Sequence, residues 1–140
     1  DSLQCGRRAD ALKLWLLWRN HGTDGLIART EHLLELARFA AHEVSGNPRF
    51  ELIHFNYLNV CFRVKPLRTP ENVNAFTLKV RKELIATGKA MVNYAERADG
   101  TIFFRLVFPN HLTQKSHVSE LMKIITEIAE QVEMKSDSSE

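Results

Sequence analysis

The chain has 140 residues, the size of one domain, because a single hydrophobic core covers roughly 100 to 200 residues. Hydrophobic residues make up 44% and charged residues 26%, which excludes intrinsic disorder for most of the chain. Nineteen Lys and Arg against seventeen Asp and Glu leave +2, too balanced a charge to call for a nucleic acid or an anionic membrane as partner.

Two cysteines, Cys5 and Cys61, are too few for a disulfide framework or a tetrahedral zinc site and point to a reducing, cytoplasmic setting. No apolar run reaches the roughly 20 residues that cross a bilayer, since Leu14 to Trp18 is bounded by Lys13 and Arg19. The chain opens Asp1-Ser2 with no initiator Met and no signal-peptide pattern, and is expected to be a C-terminal piece of something longer.

Ala9 to Arg19 reads as a helix with Leu12, Leu14, Trp15, Leu16, Leu17 and Trp18 around most of its circumference. A helix apolar nearly all round is expected to be buried on several sides, with Trp15 and Trp18 as packing anchors. Gly22 stops it, and Thr23 or Asp24 caps a second helix with the stripe Leu26, Thr30, Leu33, Leu34, Ala37, Ala41 and Val44, ending at Ser45-Gly46-Asn47-Pro48. Phe50 to His54 and Leu58 to Lys65 then read as strands about a turn at Asn56. Thr69-Pro70 predicts the start of a helix with Val73, Phe76, Val80, Leu84 and Ala86 inward, stopping at Gly88. Met91 to Glu96 and Thr101 to Phe108 flank Asp99-Gly100 as a β-hairpin closed by Pro109. Thr113 opens the last helix, whose apolar face is Val118, Leu121, Met122, Ile125, Ile128, Ala129 and Val132, and Lys135 to Glu140 is expected to fray. The fold class is therefore α+β: two N-terminal helices, then ββαββα with helices covering an antiparallel sheet.

Arg105 is the residue that stands out. Alternation places Ile102, Phe104, Leu106 and Phe108 on one face of its strand and Thr101, Phe103, Arg105 and Val107 on the other, so a permanent cation projects among large apolar neighbours. Its planar fork suits a carboxylate. Two structural alternatives stand beside that reading: an internal ion pair with an Asp or Glu, and a side chain snorkelling from an edge strand.

Gln4-Cys5-Gly6-Arg7-Arg8 offers backbone N–H groups and positive charge to an anion, or is simply a helix start with solvated arginines. Cys5 has no histidine near it in sequence to act as its base, and Cys61, inside an apolar strand, is expected in the core. The six histidines form no metal-binding pair at helical spacing, so no metal is expected. Nucleotide and nucleophile-elbow motifs are lacking from the sequence.

The segment DSLQCGRRADALKLWLLWRNHG, from Asp1 to Gly22, resembles the stretch that follows the cofactor lysine in group II pyridoxal-phosphate-dependent amino-acid decarboxylases. Gln4-Cys5-Gly6-Arg7 is more similar to the acidic-substrate branch, which acts on glutamate, cysteine sulfinate or aspartate, than to the aromatic branch. Asn47-Pro48-Arg49-Phe50-Glu51, Asn59-Val60-Cys61-Phe62-Arg63 and Ile102-Phe103-Phe104-Arg105-Leu106-Val107 continue the resemblance over nearly the whole chain.

The resemblance implies a fold-type I enzyme. Residues 1–22 then form the end of the large cofactor domain and a linking helix, 23–134 the C-terminal small domain, and 135–140 a frayed tail. The family's Phe-Arg strand motif falls on Phe104-Arg105, so Arg105 is implied to bind a substrate carboxylate, with Gln4, Cys5 and Gly6 near the substrate end of the site. The implied cofactor is pyridoxal 5'-phosphate, whose lysine precedes Asp1, so the 140-residue chain alone is expected to be inactive. The implied partners are the large domain and, in the full enzyme, a second subunit of a cytoplasmic homodimer; no nucleic acid and no membrane is expected. The family motifs around Lys65-Pro66-Leu67-Arg68 and Cys61-Phe62-Arg63 are less typical of the acidic branch, which keeps an aromatic amino-acid decarboxylase open. A free-standing ligand-binding module is the alternative from another class.

Overall fold

The structure is a computed structural model and describes residues 9–137. The chain divides after His32 into two compact units. Helix α1 (Asp10–Gly46) is followed by β1 (Phe50–Asn56), β2 (Asn59–Val64), α2 (Val73–Ala86), β3 (Asn93–Glu96), β4 (Ile102–Val107) and α3 (Lys115–Asp137). The architecture is α+β, with one four-stranded antiparallel sheet of order β1-β2-β4-β3.

The two N-terminal helices expected from the sequence form one span, broken at Gly22 (φ 66°, ψ −179°). That combination is essentially confined to glycine, so the break is written into the residue type. In the first unit the Trp18 indole N–H donates to Thr23 Oγ1 across the break at 3.2 Å, and the Arg19 guanidinium lies over the Trp15 ring at 5.4 Å. The burial expected for this helix is not found: Trp15 is 54% and Trp18 51% exposed, and Leu12, Leu14, Leu16 and Leu17 are exposed with them. Among the described residues none of these side chains is buried.

The second unit contains the core. Leu36, Ala37, Ala40, Ala41 and Val44 from α1, Phe76, Val80 and Leu84 from α2, and Val118, Met122, Ile125, Ile128 and Ala129 from α3 pack in one cluster with sheet residues Phe50, Val60, Phe62, Val64 and Phe104. Phe62 is edge-on to both Phe50, at 5.2 Å, and Phe104, at 5.8 Å, so the aromatic seam runs across three neighbouring strands. Each such side chain contributes about 1.5–3 kcal/mol on full burial. The helices cover this sheet face alone, because the alternate residues of β4, Arg105 and Val107, are exposed.

Several boundaries differ from those expected. Helix α2 starts at Val73, not at Thr69-Pro70, because Asn72 is the cap: its Oδ1 accepts from the backbone N–H of Asn74 and Ala75. Ala86 is exposed, and Gly88 takes the left-handed φ of 66° just past the helix end. The β1–β2 turn falls at Tyr57 and Leu58, with Tyr57 in the left-handed region at φ 48°, one residue after the expected Asn56. The hairpin turn at Asp99-Gly100 forms as expected, with Gly100 at φ 80° and Asp99 Oδ1 accepting from Thr101 N–H. Helix α3 runs through Asp137, past the point where fraying is expected, with Lys135 in its last turn paired to Glu83 at 2.5 Å.

Candidate functional site on the open sheet face

The face of the sheet away from the helices carries the polar chemistry. Glu51 and Arg63 stand opposite each other on β1 and β2 and close a two-pronged pair, Nε to Oε2 at 2.8 Å and Nη2 to Oε1 at 3.0 Å. The Arg63 hydrogen bond holds the Glu51 carboxyl below its ordinary pKa against an opposing effect of burial, with help from the charges of Arg63 and Lys65. Arg63 is thereby neutralised within the chain.

Arg105 is not. It lies on β4, an interior strand of the sheet, with Phe103 and Val107 beside it on the same face, and is exposed. Among the described residues no carboxylate pairs with its guanidinium. Of the two alternatives that sequence leaves open, the edge-strand position is not what the fold builds, and the internal ion pair is not found among the described residues. The side chain is a solvent-facing cation in the middle of a sheet.

A bulge between Leu52 and His54 shifts the β1 register by one residue and sets His54 opposite Cys61. Cys61 in turn stands opposite Arg105, and Arg105 opposite Asn93. One row, His54, Cys61, Arg105 and Asn93, thus crosses all four strands, and directly opposed residues of an antiparallel ladder share a face. Cys61 is buried as expected, but in this row, outside the cluster that forms the core. Burial pushes its thiol pKa up, and the nearby Arg105 charge only partly offsets this, so the cation has a neutral thiol as neighbour.

A second constellation braces the sheet. Arg49, at the start of β1, and Glu133, on α3, form a buried pair at 2.6 Å. The other Glu133 oxygen accepts from the backbone N–H of Leu67 and Arg68, which fixes the chain leaving β2. Arg49 N–H donates to Asn47 Oδ1 at 2.9 Å.

Sequence and structure comparisons agree with this architecture. The model of the pyridoxal-dependent decarboxylase conserved domain matches residues 1–65. Human cysteine sulfinic acid decarboxylase is 34% identical over 118 residues, which are 77% of this chain and 24% of that protein. The crystal structure of mouse CSAD superposes with a TM-score of 0.80 at 27% identity, covering 91% of this chain and 29% of that one. The chain is similar to one part of the pyridoxal-dependent decarboxylases.

The tryptophan decarboxylase of Catharanthus roseus, solved in complex with L-tryptophan, is also similar, with a TM-score of 0.76 at 28% identity over 86% of this chain and 25% of that one. The chain spans about a quarter of the length of the relatives it matches. Gln4, Cys5 and Gly6 lie outside the described residues, so Arg105 alone of the sequence-predicted site residues is placed by the structure.

Two grooves among the described residues do not fit pyridoxal phosphate. A groove of about 500 Å³ between α1 and α3 is walled by His42, Lys123 and the carboxylates of Glu43, Glu127 and Glu130, a set that opposes a phosphate. A groove of about 340 Å³ in the first unit, lined by Trp18, Leu26, Ile27 and Glu31, offers no cationic side chain.

Sequence reasoning missed Asn93, His54 and the Arg49–Glu133 pair. For Asn93 a signal existed: counting six residues outward from Asp99 in each direction arrives at Asn93 and Arg105, which the ladder pairs. For His54 none did, since a bulge has no fixed sequence mark.

Proposed function

We propose that this chain supplies the C-terminal, substrate-facing part of a pyridoxal-phosphate decarboxylase that removes the α-carboxylate of an acidic amino acid. Arg105 binds a carboxylate of that substrate. The observation that carries this reading is the contrast between two arginines on one face: Arg63 is saturated by Glu51, whereas Arg105 is exposed and has no carboxylate partner among the described residues. The backbone of an interior strand is held by the ladders on both sides, so Arg105 extends its guanidinium from a fixed Cα position, which suits it to reach a ligand. The exposed apolar side chains from Leu12 to Trp18 support the same reading, because they call for cover from a larger assembly.

The likeness to cysteine sulfinic acid decarboxylase favours an acidic substrate, and that to tryptophan decarboxylase keeps an aromatic one as the second reading. The intact enzyme assayed on glutamate, aspartate, cysteine sulfinate and tryptophan separates the two. On the acidic reading, Arg105→Lys lowers kcat/KM by about 10- to 100-fold, the equivalent of a charge-assisted hydrogen bond of about 1.5–3 kcal/mol, because an ammonium cannot reproduce the fork. Normal kinetics after that change sink the proposal. The 140-residue chain by itself is expected to show neither turnover nor a cofactor absorbance band.

A further inference from the structure

We infer that Asn93 is a specificity-determining residue that binds the same substrate carboxylate as Arg105. The inference rests on the carboxylate-binding role of Arg105 and extends it to a neighbouring strand. Asn93 is the Cα partner of Arg105 in the β3–β4 ladder, both residues are exposed, and both belong to the open face. Directly opposed side chains on an antiparallel pair start about 4.5–5.5 Å apart, within reach of one small ligand. Among the described residues the Asn93 carboxamide has no hydrogen-bond partner, unlike Asn72 and Asn74, whose amides are engaged in capping α2 and in bonding Gly100 and Ile102.

The chemistry of the pair is complementary. A carboxylate presents about four lone-pair sites, of which a bidentate guanidinium takes two. The Asn93 NH2 group donates to a third from the side, which fixes the rotation of the carboxylate about its own bond, something a lone arginine leaves free. On the other flank of Arg105 stands Cys61, whose thiol is neutral and a weak donor, so the second polar grip comes from the β3 side alone. Where the group held is the side-chain acid, the row favours an anionic group over an aromatic ring, which offers no acceptor to the amide.

The test uses the intact enzyme with L-glutamate, L-aspartate and L-cysteine sulfinate as probes, and three variants: Asn93→Ala, Asn93→Asp and Arg105→Lys. Asn93→Ala is expected to raise KM for the acidic substrate about tenfold, the usual worth of a hydrogen bond to a charged group, with kcat and Tm little changed. Asn93→Asp sets a carboxylate opposite Arg105, occupies the guanidinium, and is expected to raise KM further than the alanine variant. An unchanged KM in Asn93→Ala beside an impaired Arg105→Lys overturns the role of Asn93 and leaves that of Arg105 standing. A fall in Tm and kcat with constant KM marks a purely structural asparagine and also overturns it. If Arg105→Lys itself keeps normal kinetics, or only an aromatic amino acid is turned over, the reading beneath the inference fails and the inference falls with it.

Discussion

Arg49 and Glu133 are 84 positions apart in the sequence, yet their guanidinium and carboxylate meet at 2.6 Å with side chains only 4% and 1% exposed. Glu133 completes its shell with the backbone N–H groups of Leu67 and Arg68, while the Arg49 Nε is buried without a partner among the described residues. The pair therefore ties the first strand, the exit from the second and the last helix to one point.

Breaking it from either side leaves an uncompensated buried charge. Arg49→Met and Glu133→Leu are each expected to cost about 3–5 kcal/mol, whereas the double variant recovers most of the loss because neither charge remains. Urea unfolding of the four proteins measures the coupling, and simple additivity of the two single effects contradicts the account.

The same carboxylate sets a pH dependence. Burial works to raise the Glu133 pKa, but the hydrogen bonds from Arg49 and from the Arg68 and Leu67 backbone, with the Arg49 charge, hold it below its ordinary value of 4.5. Between the folded and unfolded values the unfolded chain binds more protons, so stability rises with pH there. The contribution is fully present above pH 4.5 and is lost as pH falls through the folded-state value. The stability gap between the natural protein and Glu133→Gln is thus expected to narrow on acidification below that point. Parallel stability curves rule this out.

Gly22 and Gly46 form a matched pair for a backbone experiment. A Cβ at either position meets nothing within 4 Å, but only Gly22 has a positive φ. Gly22→Ala is expected to cost about 1–3 kcal/mol through backbone strain alone, and Gly46→Ala to be neutral or slightly stabilising by restricting the unfolded chain. Equal shifts in Tm for the two variants contradict the strain argument.

Much of this architecture is legible in the sequence because periodicity reports faces directly. The spacing of Phe76, Val80 and Leu84 identifies the inner side of α2, and the alternation through Phe104 and Arg105 assigns the two faces of β4. Periodicity reports the need for burial without naming the cover, which is why the apolar helix around Trp15 reads as buried but is exposed among the described residues. Capping is legible only as a set of candidates. Thr69 and Asn72 both have suitable side chains, and the one whose oxygen reaches the Asn74 and Ala75 N–H groups sets the boundary. The Arg49–Glu133 pair is invisible in sequence because the contact depends on tertiary placement of residues with no local relation, and the His54 position depends on one unpaired residue in a ladder.

The strand bearing Arg105 is the last to be made, yet it lies between β2 and β3 and not at the rim. Until Ile102–Val107 has emerged, β2 offers a bare hydrogen-bonding edge and β3 has no neighbour in the sheet. The platform for the guanidinium and the closure of the sheet are consequently a single event, and a chain stopped short of Ile102 loses Arg105 together with the pairing of two of the four strands. A nascent polypeptide in that condition is the stage most exposed to wrong pairing with another chain.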